Sequence, residues 1–391
     1  MSEIKKSSGM PEPGFLYRPG CGLLRGFLKL TAGLQVTGLQ EIPAEGPVLL
    51  LMSHHGMTDF AAAAASCPRP IHFVATEHYF RGRITGKLLR HVAAIPKIQF
   101  HPDPRCIMSI LRTLRAGRVV GIFPAGQTSV TGRPAPISPA IARLARKAGA
   151  AIVTLQFPGS YFLYSRFSGY HPGPMAAHYK LLCTAEQCAA MSEEALYGAI
   201  CDALDYDEFA HLARTGGQYR GKLADGYEKM LWLCPACGAL HTIETRGKTL
   251  RCTACGAAGT LRGDMRIRSD RFPETFQSWY EGPQQRWLED NAAPIETDVQ
   301  LQLYDGTQFV PAGSGRVTLT PETLACSGTL KGKPWSISVE NARQEGLFAV
   351  FGRFFELYDS EKGPVRFYPA VPSAVSLVRQ AQALYFEKSR D

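Results

Sequence analysis

The chain has 391 residues and a formal charge of +9, with 45% hydrophobic and 20% charged residues. Those proportions exclude a disordered chain, and no run reaches the ~18 consecutive apolar residues of a membrane span. The length allows two or three domains, and the positive balance either favours anionic partners (a membrane surface, phosphorylated substrates, nucleic acid) or serves solubility alone.

Residues 1–15 lack the apolar core of a signal peptide and read as a mobile tail of a cytoplasmic protein. Leu23 to Ala32 predicts an amphipathic helix with Leu24, Phe27 and Leu28 apolar and Arg25 and Lys29 exposed, ended by Gly33. Such a helix covers a sheet edge or lies in a headgroup layer. A strand at Leu34–Thr37, strand Val48–Met52, helix Thr58–Ser66 and strand Ile71–Ala75 follow. Asp103 as N-cap and Pro104 at the first helical position open a helix that stops at Gly117. Strand Val119–Phe123, helix Pro139–Ala148, strand Ala151–Phe157 and helices around Glu193–Leu204 and Asp207–Ala213 complete the region. Strands alternating with helices at this spacing predict an α/β domain over residues 16–228, a mostly parallel sheet flanked by helices.

Composition changes at Leu231. Cys234-Pro-Ala-Cys237-Gly and Cys252-Thr-Ala-Cys255-Gly are two Cys-x2-Cys pairs, and four thiolates at that spacing close a tetrahedral shell. We read residues 229–264 as a ribbon with structural zinc on Cys234, Cys237, Cys252 and Cys255, and His241 as a surface residue. A closed shell leaves no catalytic position, and no His-x-Glu precedes the pairs as a zinc deaminase requires. The other seven cysteines (21, 67, 106, 183, 188, 201 and 326) show no pairing pattern and read as buried thiols of a reducing compartment. Few basic residues and no aromatic lie between the knuckles, which argues against nucleic acid as a partner. Residues 265–391 turn to strands, among them Val299–Tyr304, Gly315–Leu319, Trp335–Val339 and Leu347–Val350, with a helix over Val371–Lys388. This pattern resembles a pleckstrin-homology-type module.

Two polar loops end buried strands. Ser53-His54-His55-Gly56-Met57-Thr58-Asp59 follows Val48–Met52, and Pro124-Ala125-Gly126-Gln127-Thr128-Ser129 follows Val119–Phe123. Open α/β sheets build their sites at such places. A histidine with an ordinary pKa near ~6.5 is a suitable base at neutral pH, and a carboxylate on its second nitrogen fixes the tautomer. His54 has Asp59 five residues on, whereas the competing His55 does not share that spacing.

At these motifs the chain resembles the glycerolipid acyltransferase family, which includes 1-acylglycerol-3-phosphate acyltransferases. His54 and Asp59, then Ile95-Pro96-Lys97-Ile98-Gln99, then Phe123 to Ser129, then Ile152-Val153-Thr154-Leu155 keep the family's order from Leu16 to Arg220. The resemblance implies direct transfer of an acyl group from acyl-CoA or acyl-carrier protein to an alcohol, with His54 as general base oriented by Asp59. It implies a lipid-like acceptor held by Lys97, Gln99, Phe123, Pro124, Gly126, Gln127, Thr128 and Ser129, and a protein peripheral to the inner face of the membrane. Three departures remove charge from the region expected to grip a glycerol phosphate. Gln99 stands for an Arg, Ala125 for the Glu of Phe-Pro-Glu-Gly, and Thr128 for the following Arg. A guanidinium–phosphate fork exceeds a neutral contact. The departures therefore leave three readings: an acceptor whose phosphate is differently placed or missing, which we favour; a weakened or non-catalytic lipid-binding or scaffold relative; or an engineered Ala125.

Overall fold

The structure, a computed structural model, describes residues 13–98, 103–291, 293–344 and 346–389. The chain divides into two compact units, residues 1–166 with 170–220, and residues 167–169 with 221–391.

In the first unit, strands β1 (Gln35–Thr37), β2 (Val48–Met52), β3 (Ile71–Thr76), β4 (Ile95–Lys97), β5 (Val119–Ile122), β6 (Ala151–Gln156) and β7 (Ala176–Cys183) form one sheet in the order β1-β7-β6-β2-β5-β3-β4. The run from β6 to β4 is parallel; β7 pairs antiparallel to β6, and β1 parallel to β7. The expected mostly parallel α/β sheet is therefore present, with two reversed strands along one edge. The helices are α1 (Tyr17–Ala32), α2 (Asp59–Ser66), α3 (Glu77–Phe80), α4 (Arg83–His91), α5 (Pro104–Arg115), α6 (Ala140–Ala148), α7 (Ser160–Leu163), α8 (Ala185–Ala190), α9 (Glu193–Leu204) and α10 (Glu208–Thr215).

All five residues of β2 are buried, as a strand covered on both faces requires, which is why it reads as an unbroken apolar run. One face of the sheet packs Leu49, Leu51, Val120, Ile122 and Ile152 against Ile110 and Leu114 of α5, Leu144 of α6 and Ile200 of α9. Helix α5 starts as its sequence requires, with Asp103 accepting from the amide of Cys106 at 3.0 Å. Helix α1 is longer than expected, because Tyr17 joins its first turn and its hydroxyl accepts from the amide of Ile71 at 3.0 Å. Only Leu28 and Ala32 of α1 are buried, while Leu23, Phe27 and Leu30 face solvent.

The second unit begins with a small antiparallel sheet of β8 (Ile243–Arg246), β9 (Thr249–Cys252), β10 (Ala258–Leu261) and β11 (Ile267–Arg268). Short helices α11 (Phe276–Trp279) and α12 (Gln285–Asp290) lead to β12 (Ile295–Tyr304), β13 (Phe309–Leu319), β14 (Thr323–Leu330), β15 (Lys333–Glu340), β16 (Phe348–Val350), β17 (Phe354–Asp359) and β18 (Gly363–Pro369), then helix α13 (Ala374–Lys388). The larger sheet runs β15-β14-β13-β12-β18-β17-β16, with every pair antiparallel. Val299, Leu301 and Leu303 alternate inward from β12 and pack with Phe355, Phe367 and the α13 residues Val375, Val378 and Ala381. No described helix is long and apolar enough to cross a membrane.

Candidate functional site

His54 and Asp59 meet at the carboxyl end of β2. His54 lies on the loop leaving the strand and Asp59 is the first residue of α2, so the four intervening residues form the whole bend. Asp59 is fully buried, and its Oδ2 accepts from His54 Nδ1 at 3.0 Å, the His55 amide at 2.8 Å and the Gly56 amide at 3.0 Å. Two backbone donors therefore hold the oxygen that holds the imidazole. An Nδ1–H bond to Asp59 fixes the ring's orientation and leaves Nε2 able to accept a proton. Gly56 has to be glycine: a Cβ there would lie 2.2 Å from the carbonyl oxygen of Ser160.

The second loop faces this pair. The His54 ring stacks on Phe123, with centroids 4.2 Å apart, and Thr128 Oγ1 lies 3.4 Å from His54 Nε2. The amide of Ser129 donates to the His54 carbonyl at 2.7 Å, fastening one loop to the other. Phe123 and Gly126 close the intervening turn through an amide–carbonyl bond of 2.9 Å, with Gly126 at a φ of +66°. The His54 side chain keeps 19% of its surface exposed, so the imidazole stays reachable.

The other expected contacts separate into groups. Pro124, Gly126 and Gln127 lie in the half-buried to exposed turn beside His54, where a ligand has access. Ser129 is fully buried; its Oγ donates to the Arg133 carbonyl and accepts from the Gly132 amide, so it closes its own turn. Lys97 ends β4, three positions from β2, roughly 14 Å at ordinary strand spacing, and its Nζ donates to the Ile98 carbonyl at 3.1 Å. Gln99 lies outside the described residues.

His55 points the other way, fully buried, and neither ring nitrogen has a hydrogen-bond partner among the described residues. Burial holds its pKa down at about 4, against a weaker upward pull from Asp59. At neutral pH it therefore packs as an uncharged imidazole. Sequence reasoning passed over Glu208, a fully buried carboxyl at the start of α10. Its only readable signal was an acidic residue following the N-cap Asp207, which is ordinary for a helix start.

In the second unit the sulfurs of Cys234, Cys237, Cys252 and Cys255 all lie within 4.8 Å of one another, with Cys234–Cys255 and Cys237–Cys252 at 3.9 Å. A tetrahedral ion bound at roughly 2.3 Å to each sulfur spaces its ligands at about 3.8 Å, so the cluster can hold a metal ion. Gly238 and Gly256 close the knuckles at φ +75° and +73°. Thr242 Oγ1 lies 3.2 Å from Cys252 Sγ and supplies a hydrogen-bonding partner outside the shell. His241 is half-buried rather than a plain surface residue, because its Nδ1 bonds Ser373 Oγ at 2.7 Å.

A His–Asp pair with a fully buried carboxylate thus stands at the end of a parallel strand, faced by a Phe-Pro-x-Gly turn. Residues 33–157 match the Acyltransferase family model. Over these residues the chain is similar to the glycerolipid acyltransferase family. A 1-acyl-sn-glycerol-3-phosphate acyltransferase of Bacillus subtilis (strain 168) is 26% identical over 145 residues, 37% of this chain and 72% of the relative. The 1-acyl-sn-glycerophosphate (LPA) acyltransferase PlsC of Thermotoga maritima overlays on 48% of this chain and 77% of its own length, at 16% identity and a TM-score of 0.43.

Proposed function

We propose that this protein is an O-acyltransferase that moves a fatty acyl group from a thioester donor, acyl-CoA or acyl-carrier protein, to an alcohol of a lysophospholipid or other lipid-like acceptor. The observation that carries the reading is Asp59 Oδ2 bonded at 3.0 Å to His54 Nδ1, with Nε2 turned to the second loop. The acceptor hydroxyl takes the place near Nε2 that the Thr128 hydroxyl now borders, gives its proton to Nε2 and attacks the thioester carbonyl. The tetrahedral adduct collapses, the thiolate leaves, and the imidazolium returns the proton to it. No nucleophile of the protein is needed.

Ala125 and Thr128 favour an acceptor that does not present a phosphate to this turn, since the turn offers amide and hydroxyl groups where the family places charge. The same two residues favour the second reading, a lipid-binding relative that keeps the fold without turnover. The proposed peripheral membrane location draws support from two features of the first unit. Leu23, Phe27 and Leu30 of α1 and Ile84 and Leu88 of α4 are exposed among Arg25, Lys29, Arg83, Lys87 and Arg90, a composition suited to an anionic lipid surface. In the second unit, zinc is the ion proposed for the four thiolates, in a structural role. The strand order and terminal helix support a pleckstrin-homology-type module for residues 265–391.

Thiol release from acyl-CoA in the presence of candidate acceptors tests the reading. Wild type turns over and His54→Ala loses at least a hundredfold in kcat. Retained turnover in His54→Ala places the base elsewhere, and no turnover in wild type with any donor supports the non-catalytic reading.

A further inference from the structure

We propose that Glu208 is a positioning residue of the acyl-transfer site, a buried residue whose carboxyl holds one, and whose backbone amide holds the other, of the two turns on which the His54 loop rests. The inference rests on the reading of that site as a base-assisted acyltransferase and adds the group that holds it in register. Glu208 heads α10, and it acts on each turn through different atoms. Its Oε2 accepts from the Gly159 amide at 2.7 Å and its Oε1 from the Tyr161 amide at 3.2 Å, which fixes the turn entering α7. Its own amide donates to the Gly132 carbonyl at 3.0 Å, which fixes the turn after Ser129.

Both turns touch the catalytic loop directly. From the first, the Ser160 carbonyl packs so closely on Gly56 that no Cβ fits, and the Tyr164 carbonyl accepts from the Met57 amide at 2.8 Å. From the second, Ser129 donates to the His54 carbonyl at 2.7 Å, and Gly132 donates to Ser129 Oγ at 2.8 Å. Two further bonds close the frame: the Tyr161 hydroxyl donates to the Val130 carbonyl at 2.9 Å, and Arg133 Nη2 meets Asp207 Oδ2 at 3.1 Å. The base is therefore clasped from both sides, and Glu208 is the residue common to both sides.

The chemistry of the carboxyl supports a positional role. A fully buried charged carboxyl is expensive, and among the described residues this one has backbone amides as partners, with Asp59 and Asp207 near enough to oppose its ionisation. The two donors go to different oxygens, so an amide side chain, with one oxygen and one NH2, cannot receive the Gly159 and Tyr161 amides in this geometry. A carboxyl can. Catalytic groups need support of this kind because a displacement of about 1 Å can cost roughly a hundredfold in rate.

The test pairs kinetics with a readout of the imidazole itself, on the full chain. Glu208→Gln keeps the side-chain volume and turns one amide donor against an NH2 group. We expect kcat for thioester consumption to fall tenfold or more with KM for the donor changed less than twofold. In 15N NMR, the His54 ring, assigned by difference from His54→Ala, should lose its single Nδ1–H tautomer. Tyr161→Phe cuts the Val130 bond between the same turns without touching the carboxyl, and should move the His54 signals in the same direction. Folded Glu208→Gln and Tyr161→Phe proteins with wild-type His54 tautomer and kcat would overturn the proposal; if Glu208→Gln does not fold, an unmoved His54 signal in Tyr161→Phe overturns it alone. A wild-type protein without thioester turnover would sink the acyltransferase reading, while the NMR comparison would still decide the role of Glu208.

Discussion

Replacing Asp59 with Asn isolates one physical effect. Two backbone amides, from His55 and Gly56, already converge on Oδ2, so the amide oxygen of Asn must take that position and its NH2 must take the place of Oδ1. Oδ1 has no partner among the described residues, so the NH2 group meets no competing bond there. The His54 Nδ1–H bond then survives as a neutral contact and the tautomer stays correct. What disappears is the charge that stabilises the imidazolium as the acceptor hydroxyl gives up its proton. A unit pair at ~4 Å with an effective dielectric of ~20 is worth roughly 4 kcal/mol, and about half of that applies where the proton is half transferred. The expected loss in kcat/KM is therefore roughly 30-fold to 1000-fold. Donor thiol release measured against acceptor concentration reads it, with thermal melting as the control for folding. Asp59→Ala differs in kind: it strands two buried amides at about 1–3 kcal/mol each and should lower the melting temperature as well. A folded Asp59→Asn enzyme within threefold of wild type would refute the charge argument and with it the orienter role.

Further outcomes concern pH and metal. Burial lowers the His55 pKa to about 4, with His54, Asp59, Asp205 and Asp207 as its charged neighbours, so its contribution to stability is present above about 6.5 and drains away as pH falls towards 4. The shift corresponds to roughly 3 kcal/mol, and His55→Gln should flatten the acid limb of a melting-temperature profile. Burial raises the Glu208 pKa to about 8, opposed by the Gly159 and Tyr161 amides and reinforced by Asp59 and Asp207. Tyr206 and Tyr219 also face it. Its contribution is complete below about 4.5 and is lost as pH rises through 8, so Glu208→Gln should flatten the alkaline limb. Superimposable profiles for wild type and variants would contradict both assignments. Elemental analysis should find one zinc per chain, and Cys252→Ser or a strong chelator should remove it and lower the melting temperature; metal-free protein melting like the original would show the thiolates to be dispensable.

The legible parts of the candidate site were those written within a few residues. His54 and Asp59 share one short bend, and each Cys-x2-Cys knuckle is a single turn, so spacing alone brought their groups together. The stacking of Phe123, expected as a contact for the acceptor, on His54 was not legible that way, because the two lie 69 positions apart along the chain. Helices α3 and α4 escaped notice because Glu77–Phe80 is a single turn and Arg83–His91 carries a central glycine and leaves Ile84 and Leu88 exposed, so no buried stripe marks it. Strand β14 was hidden by small residues, Ala325-Cys326-Ser327-Gly328, which pass as a turn until β13 and β15 pair on either side of them.

By itself the sequence determined the alternation of strand and helix, the family resemblance of the first domain and the two local constellations, because periodicity, caps and ligand spacing act over a turn or two of chain. Tertiary structure alone decided the reversed strands at the sheet edge, the meeting of Thr128 with His54 across 74 positions, and the burial of Glu208 between turns some fifty and seventy-five residues before it. Those contacts depend on which strands lie side by side, and a residue's neighbours in space carry no imprint on its neighbours in sequence.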